Sequence, residues 1–148
     1  MPEFLNEDIR KQVGEVFAGL VHPVSILFFG SKVQPCEYCA ETRQLLEEVT
    51  ALSDLISFQA FDLEEDAAIA QQYHVDKAPG FVFAGRDGDT LHDYGVRFYG
   101  IPAGHEFTTL INSLLMVSAR DSGLSEATRE WLAGLKDPLH LQVFVTPT

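Results

Sequence analysis

The only two cysteines of the 148-residue chain stand three apart, as Cys36-Glu37-Tyr38-Cys39. On a first helical turn, that spacing can bring two Cα atoms within the ~4.4–6.8 Å that a disulfide requires. The pair can therefore cycle between dithiol and disulfide. The order of residues around it predicts a strand, a polar loop and then a helix beginning at Cys36. A helix N-terminus stabilises a thiolate through its free N–H groups and its macrodipole. Cys36 is thus expected to attack, and Cys39, one turn further in and less exposed, to resolve. Glu37 puts a negative charge beside Cys36, which opposes thiolate formation and partly offsets the helix dipole. Two inert core cysteines would not ordinarily open a helix straight after a polar, proline-containing loop.

A metal is not expected at this pair. Zinc asks for about four ligands, and there is no second cysteine pair or close histidine pair: His22, His74, His92, His105 and His140 are scattered. His105 reads as a surface or capping residue near a helix start. Asp62, Glu64, Glu65 and Asp66 read as a charged strand end and helix N-terminus rather than as a metal loop.

The elements that must hold the cysteines can be read from periodicity. Asn6 is placed to cap a helix whose Ile9, Val13, Val16, Phe17 and Leu20 share one face. Residues 24–29 (VSILFF) form a continuous apolar run, the mark of a strand buried on both faces. A helix is predicted over residues 36–52, a strand over 56–61 and a helix over 64–73. After HVDKAP the pattern changes to a hairpin, with strands at 80–84 and 94–99 around GRDGD. Helices over 104–120 and 125–135 follow, the second capped by Ser125. The last predicted element is a strand over 139–145. The expected fold is α/β: a mixed four-stranded sheet in the order β-α-β-α-β-β-α, with an added N-terminal helix and a C-terminal helix plus strand.

Composition narrows the function classes. Lys plus Arg is 10 against 22 for Asp plus Glu, a net charge of −12. Nucleic acids and anionic membranes recruit positive surface, so neither is an expected partner. No run approaches the roughly 20 apolar residues of a membrane span, and the acidic amphipathic N-terminus is unlike a secretory signal. A cytoplasmic location is expected, where a disulfide is more often transient than structural.

With CEYC after a strand and Ala78-Pro79 before the next core strand, the chain resembles the thioredoxin superfamily. Its fold puts CxxC at a helix N-terminus and a cis-proline opposite, and Cys36, Cys39 and Pro79 match those positions. The resemblance narrows to the first unit of the glutaredoxin-like protein disulfide oxidoreductases, two fused thioredoxin units, through CEYC, KAP and GVRFYGIPAGHEF. It implies a protein disulfide oxidoreductase that uses Cys36 and Cys39. Substrate would lie along Ala78 and Pro79 with Glu37 and Tyr38 nearby, and the cysteine pair would be the only cofactor. The implied partners are protein disulfides, with a flavin-dependent thioredoxin reductase as electron donor or a peroxidase. Pro35 replaces the tryptophan that precedes the first cysteine in thioredoxins. The Gly-Gly signature of glutaredoxins is absent, which removes the ground for expecting glutathione dependence.

By the same resemblance, residues 1–120 form the first unit, and 121–148 a linker helix and the first strand of a second unit that the chain stops short of. That strand would be apolar and unpartnered, so it is expected either to fold back or to pair with another copy as a homodimer. Two other readings remain. One is an electron-relay module like the N-terminal region of the alkyl hydroperoxide reductase flavoprotein. The other is an interaction scaffold whose cysteines stay oxidised.

Overall fold

A computed structural model describes residues 2–146 of the chain. Asn6 caps α1 (Glu7–Phe17), its side chain accepting the Ile9 N–H at 2.9 Å. Strand β1 (Val24–Gly30) is buried along its whole length, as its unbroken apolar run requires. It pairs in parallel with β2 (Ile56–Asp62) and antiparallel with β3 (Gly80–Asp87), which pairs antiparallel with β4 (Thr90–Tyr99). The resulting order, β2-β1-β3-β4, is the expected mixed sheet. Helices α2 (Cys39–Thr50), α3 (Ala67–Gln72), α4 (Glu106–Ala119) and α5 (Glu126–Ala133) complete the chain.

Strand alternation sorts the core into two layers. Ile26, Phe28, Phe81 and Phe83 face α1, α2 and α4, while Leu27, Phe29 and Val82 face α3 and Tyr73. Each of these side chains contributes about 1.5–3 kcal/mol by leaving water. Ser118, fully buried on α4, accepts the N–H groups of Val21 and His22 and donates to the His22 carbonyl, which fixes the entry to β1.

Several boundaries differ from expectation. Val16 is 44% exposed rather than inward on α1. Helix α2 starts at Cys39, so Cys36 lies before its N-cap, Tyr38, and outside the first turn. The first α2 amide with a helical acceptor is that of Thr42, bonded to the Tyr38 carbonyl. Residues Glu64–Asp66 form a turn before α3, because carboxylates accept the amides that a helix would otherwise use. The hairpin is tighter than GRDGD suggested: Asp87 pairs with Thr90, leaving Gly88 and Asp89 as a two-residue loop with Gly88 at φ 59°. A bulge opposite Phe83 and Ala84, with Gly95 at φ 82°, absorbs the extra residues of β4.

The C-terminal strand is corrected outright. Ser125 caps α5 as expected, accepting the Thr128 N–H. Yet no strand forms over 139–145, where Leu141, Val143, Phe144 and Val145 are 79–89% exposed. A strand is defined by ladder bonds to a neighbour, and nothing among the described residues supplies one. The segment does not fold back on its own sheet. Pro147 and Thr148 lie outside the described residues.

Candidate active site

Beyond Gly30 the chain leaves β1 and runs through a polar loop to Cys36. Short local hydrogen bonds shape that loop: the Ser31 hydroxyl accepts the N–H groups of Val33 (3.2 Å) and Gln34 (2.8 Å). The same hydroxyl donates to Glu64, and Gln34 Nε2 donates to Glu64 Oε1 at 2.9 Å. One oxygen of Asp62 accepts the Lys32 N–H at 3.0 Å, while the other accepts those of Glu64 and Glu65. The acidic cluster is therefore a clamp that ties the cysteine loop to the β2–α3 corner.

The Glu65 N–H, with help from those of Glu64 and Lys32, holds the Asp62 carboxyl below the usual carboxylate range, against the opposing effect of burial. A lowered folded-state value makes this stabilisation complete above the ordinary aspartate pKa. It is lost only as pH falls through the lowered value.

Cys36 and Cys39 are joined as a disulfide, with their Cα atoms 5.4 Å apart. Both are half-buried. What separates them is packing: Cys39 touches the main core cluster and Cys36 does not. Between them Tyr38 is 47% exposed, and Glu37 is exposed and makes no ion pair among the described residues. The amides of Cys39, Ala40 and Glu41 have no helical acceptor, so the N-terminus of α2 opens onto the disulfide.

Ala78–Pro79 is cis, and Pro79 is buried. The β1–β3 register pairs Phe29 with Gly80, and one further step sets Pro79 beside Gly30. A Cβ added at Gly30 would lie 3.5 Å from Cys39 Sγ. The proline loop and the cysteine pair thus meet at the end of β1. The Pro79 carbonyl accepts the Gly100 N–H at 2.9 Å, whereas the N–H and C=O of Ala78 make no hydrogen bond among the described residues. Half-exposed and unpaired, that backbone can pair with an extended peptide.

The run GVRFYG now acquires a physical role. Arg97 Nε donates to the Tyr73 carbonyl at 2.7 Å, and Arg97 is held in turn by both oxygens of Asp93. The Tyr99 hydroxyl reaches the His74 carbonyl at 3.4 Å. Gly80 lies against the same loop: a Cβ there would sit 2.7 Å from the Lys77 carbonyl and 2.9 Å from Val75. These β4 side chains, with Ser31, Asp62 and Glu64, were not identified as site residues from sequence. A carboxylate or arginine bonded to distant backbone leaves no local pattern to read. Thr42, one turn beyond Cys39, is fully buried with a hydroxyl that has no partner among the described residues. His105 precedes α4 without a capping bond and is exposed.

Comparison with known proteins agrees with this geometry. A protein disulfide oxidoreductase from Aeropyrum pernix K1 superposes with a TM-score of 0.75 and 30% identity, over 88% of this chain and 55% of that one. The N-terminal domain of alkylhydroperoxide reductase AhpF from Enterococcus faecalis gives 0.74 and 25%, over 86% of this chain and 59% of that one. The corresponding alkyl hydroperoxide reductase protein of Staphylococcus epidermidis is 26% identical over 144 residues, 97% of this chain. The chain spans about a quarter of the length of such curated relatives (25%). No family model matches it. The chain belongs to the thioredoxin superfamily. Within it, the chain has a thiol–disulfide oxidoreductase-like fold that carries the Cys36–Cys39 pair.

Glu37 allows a direct test of the electrostatics. Its N–H makes no hydrogen bond among the described residues, so proline at 37 removes no donor in use. Glu37→Pro is expected to lower the pKa of reduced Cys36 by up to about one unit, because the adjacent negative charge is gone. Thiolate absorbance against pH measures this. An unchanged or raised value would mean that solvent screens the carboxylate.

Proposed function

We propose that this unit reduces or exchanges protein disulfides. Cys36 thiolate attacks one sulfur of a substrate disulfide, and the other leaves as a thiolate. Cys39, deprotonated, then attacks Cys36 Sγ and releases the second substrate sulfur, so two electrons pass to the substrate and the protein ends as the disulfide. The substrate segment pairs with the Ala78 backbone, with Tyr38 and Glu37 facing it. No cofactor beyond the cysteine pair takes part. The observation that carries the reading is the Cys36–Cys39 disulfide beside the unbonded Ala78 edge and buried Pro79.

The likeness to the alkyl hydroperoxide reductase AhpF favours a second reading, a relay of electrons between a flavin-dependent reductase and a peroxidase. Insulin separates the two. The pre-reduced chain is expected to reduce insulin unaided. Activity confined to a dedicated peroxidase partner would favour the relay and end the general-oxidoreductase reading. In either case a cytoplasmic setting supplies the reducing equivalents. Residues 121–148, whose helix and tail are exposed throughout the described part, are proposed to stand apart from the 1–120 unit and to pair two copies of the chain. Light scattering that finds only monomer would end the pairing proposal.

A further inference from the structure

A cleft of about 500 Å³ lies between the two loops that converge on the disulfide. One wall carries Gln34, two residues before Cys36, and Glu64; the other carries Asp76, two residues before Ala78. Leu63, Ala70 and Val75, all buried, form its floor. Ala67, Gln71 and His74 complete the lining, so the basic group at the cleft is a histidine rather than a lysine or arginine. Among the described residues, the Glu64 oxygens are bonded only by the neutral Ser31 hydroxyl and Gln34 amide, and no cation pairs with them. Asp76 meets Lys77 at 3.0 Å, but both are at least 70% exposed, and such pairs are weak in water. Lys32 and Arg43, near the cysteine loop, sit in similarly exposed pairs with Glu65 and Glu47 rather than in the cleft.

An apolar floor under an anionic rim matches a side chain with a long aliphatic stem and a cationic head. A peptide pairing along Ala78 would carry the residues that flank its cysteine past this opening. We infer that the cleft receives a lysine or arginine beside the substrate's disulfide, making basic protein segments the preferred substrates. This inference rests on the oxidoreductase reading above and adds the substrate class to it.

Single-turnover kinetics test it. The chain is reduced, freed of reductant and mixed with three peptides of one sequence, each holding an internal disulfide flanked by arginine, glutamine or glutamate. Each turnover converts protein dithiol and peptide disulfide to protein disulfide and peptide dithiol. The arginine peptide is expected to react roughly five- to twenty-fold faster than the glutamate peptide at low ionic strength, with the ratio shrinking at about 0.5 M salt. Glu64→Gln is expected to reduce that ratio at least about threefold, and Asp76→Asn, on an exposed rim, to reduce it in the same direction. Asp76→Asn decides the matter alone if Glu64→Gln does not fold. Equal rates for all three peptides would overturn the inference and leave the oxidoreductase reading standing. A basic preference unchanged in the variants would remove the cleft as its source. Failure to reduce any peptide, with the dithiol present, would sink the underlying reading as well.

Discussion

Cys36→Ser is expected to lower disulfide reduction by roughly 10³-fold or more, because serine supplies no thiolate to attack and forms no disulfide. Cys39→Ser should behave differently. Attack by Cys36 still occurs, but no second thiol displaces the product, so a mixed disulfide between Cys36 and the substrate accumulates. The asymmetry follows from the site. Cys36 lies ahead of the α2 N-cap on the polar loop, while Cys39 packs on the core cluster. Non-reducing mass spectrometry after mixing each reduced variant with a disulfide peptide reads the outcome. A stable adduct on Cys39 in Cys36→Ser, with none on Cys36 in Cys39→Ser, would reverse the two roles.

Glu48→Ala is expected to cost about 2–4 kcal/mol of stability, from the loss of a charged acceptor shared by several donors. The Glu48 side chain is 12% exposed. It accepts the N–H groups of Phe4 and Leu5 and the Gln44 amide, and pairs with Arg10 at 3.5 Å. Its removal strands the Leu5 amide of a residue only 2% exposed, and frees the segment before α1. Burial pushes the Glu48 carboxyl up, but Gln44, Leu5, Phe4 and Arg10 together outweigh it and hold the carboxyl below its usual range. The folded-state pKa is therefore depressed. The contribution is complete above the unfolded value of about 4.3 and is lost as pH falls through the folded one. Urea denaturation should show a wide gap between wild type and variant at pH 7 that narrows in acid. A gap within about 0.5 kcal/mol at pH 7 would mean that other contacts hold the N-terminal segment.

The sheet was legible because its signals are local. Residues 24–29 are apolar without a break, Gly88 sits at a hairpin tip, and Asn6 and Ser125 are good caps. The Cys36–Cys39 disulfide and the cis Ala78–Pro79 bond were legible for the same reason, both lying in short motifs next to strands. The start of α2 was not. Periodicity does not say that the cysteine turn precedes the first helical hydrogen bond, and Pro35-Cys36 reads equally well as a helix start. The tail failed for a different cause: Leu139 to Val145 has the composition of a strand, but a strand needs a second backbone segment beside it, and none pairs with it among the described residues. Arg97 reaches the Tyr73 carbonyl, Asp62 the Lys32 amide and Glu64 the Ser31 hydroxyl, partners 24, 30 and 33 residues away. Only the folded chain brings those groups together.

A working redox couple at Cys36 and Cys39 opens and closes with the surrounding potential, whereas a fixed staple does not. Equilibrating the full chain with graded ratios of reduced to oxidised dithiothreitol, quenching with acid and tagging free thiols measures this in one experiment. The expected result is a reversible two-electron transition in which both cysteines gain the tag together. A chain that stays untagged at every ratio while still folded, its disulfide never opening, would contradict it and leave an interaction scaffold.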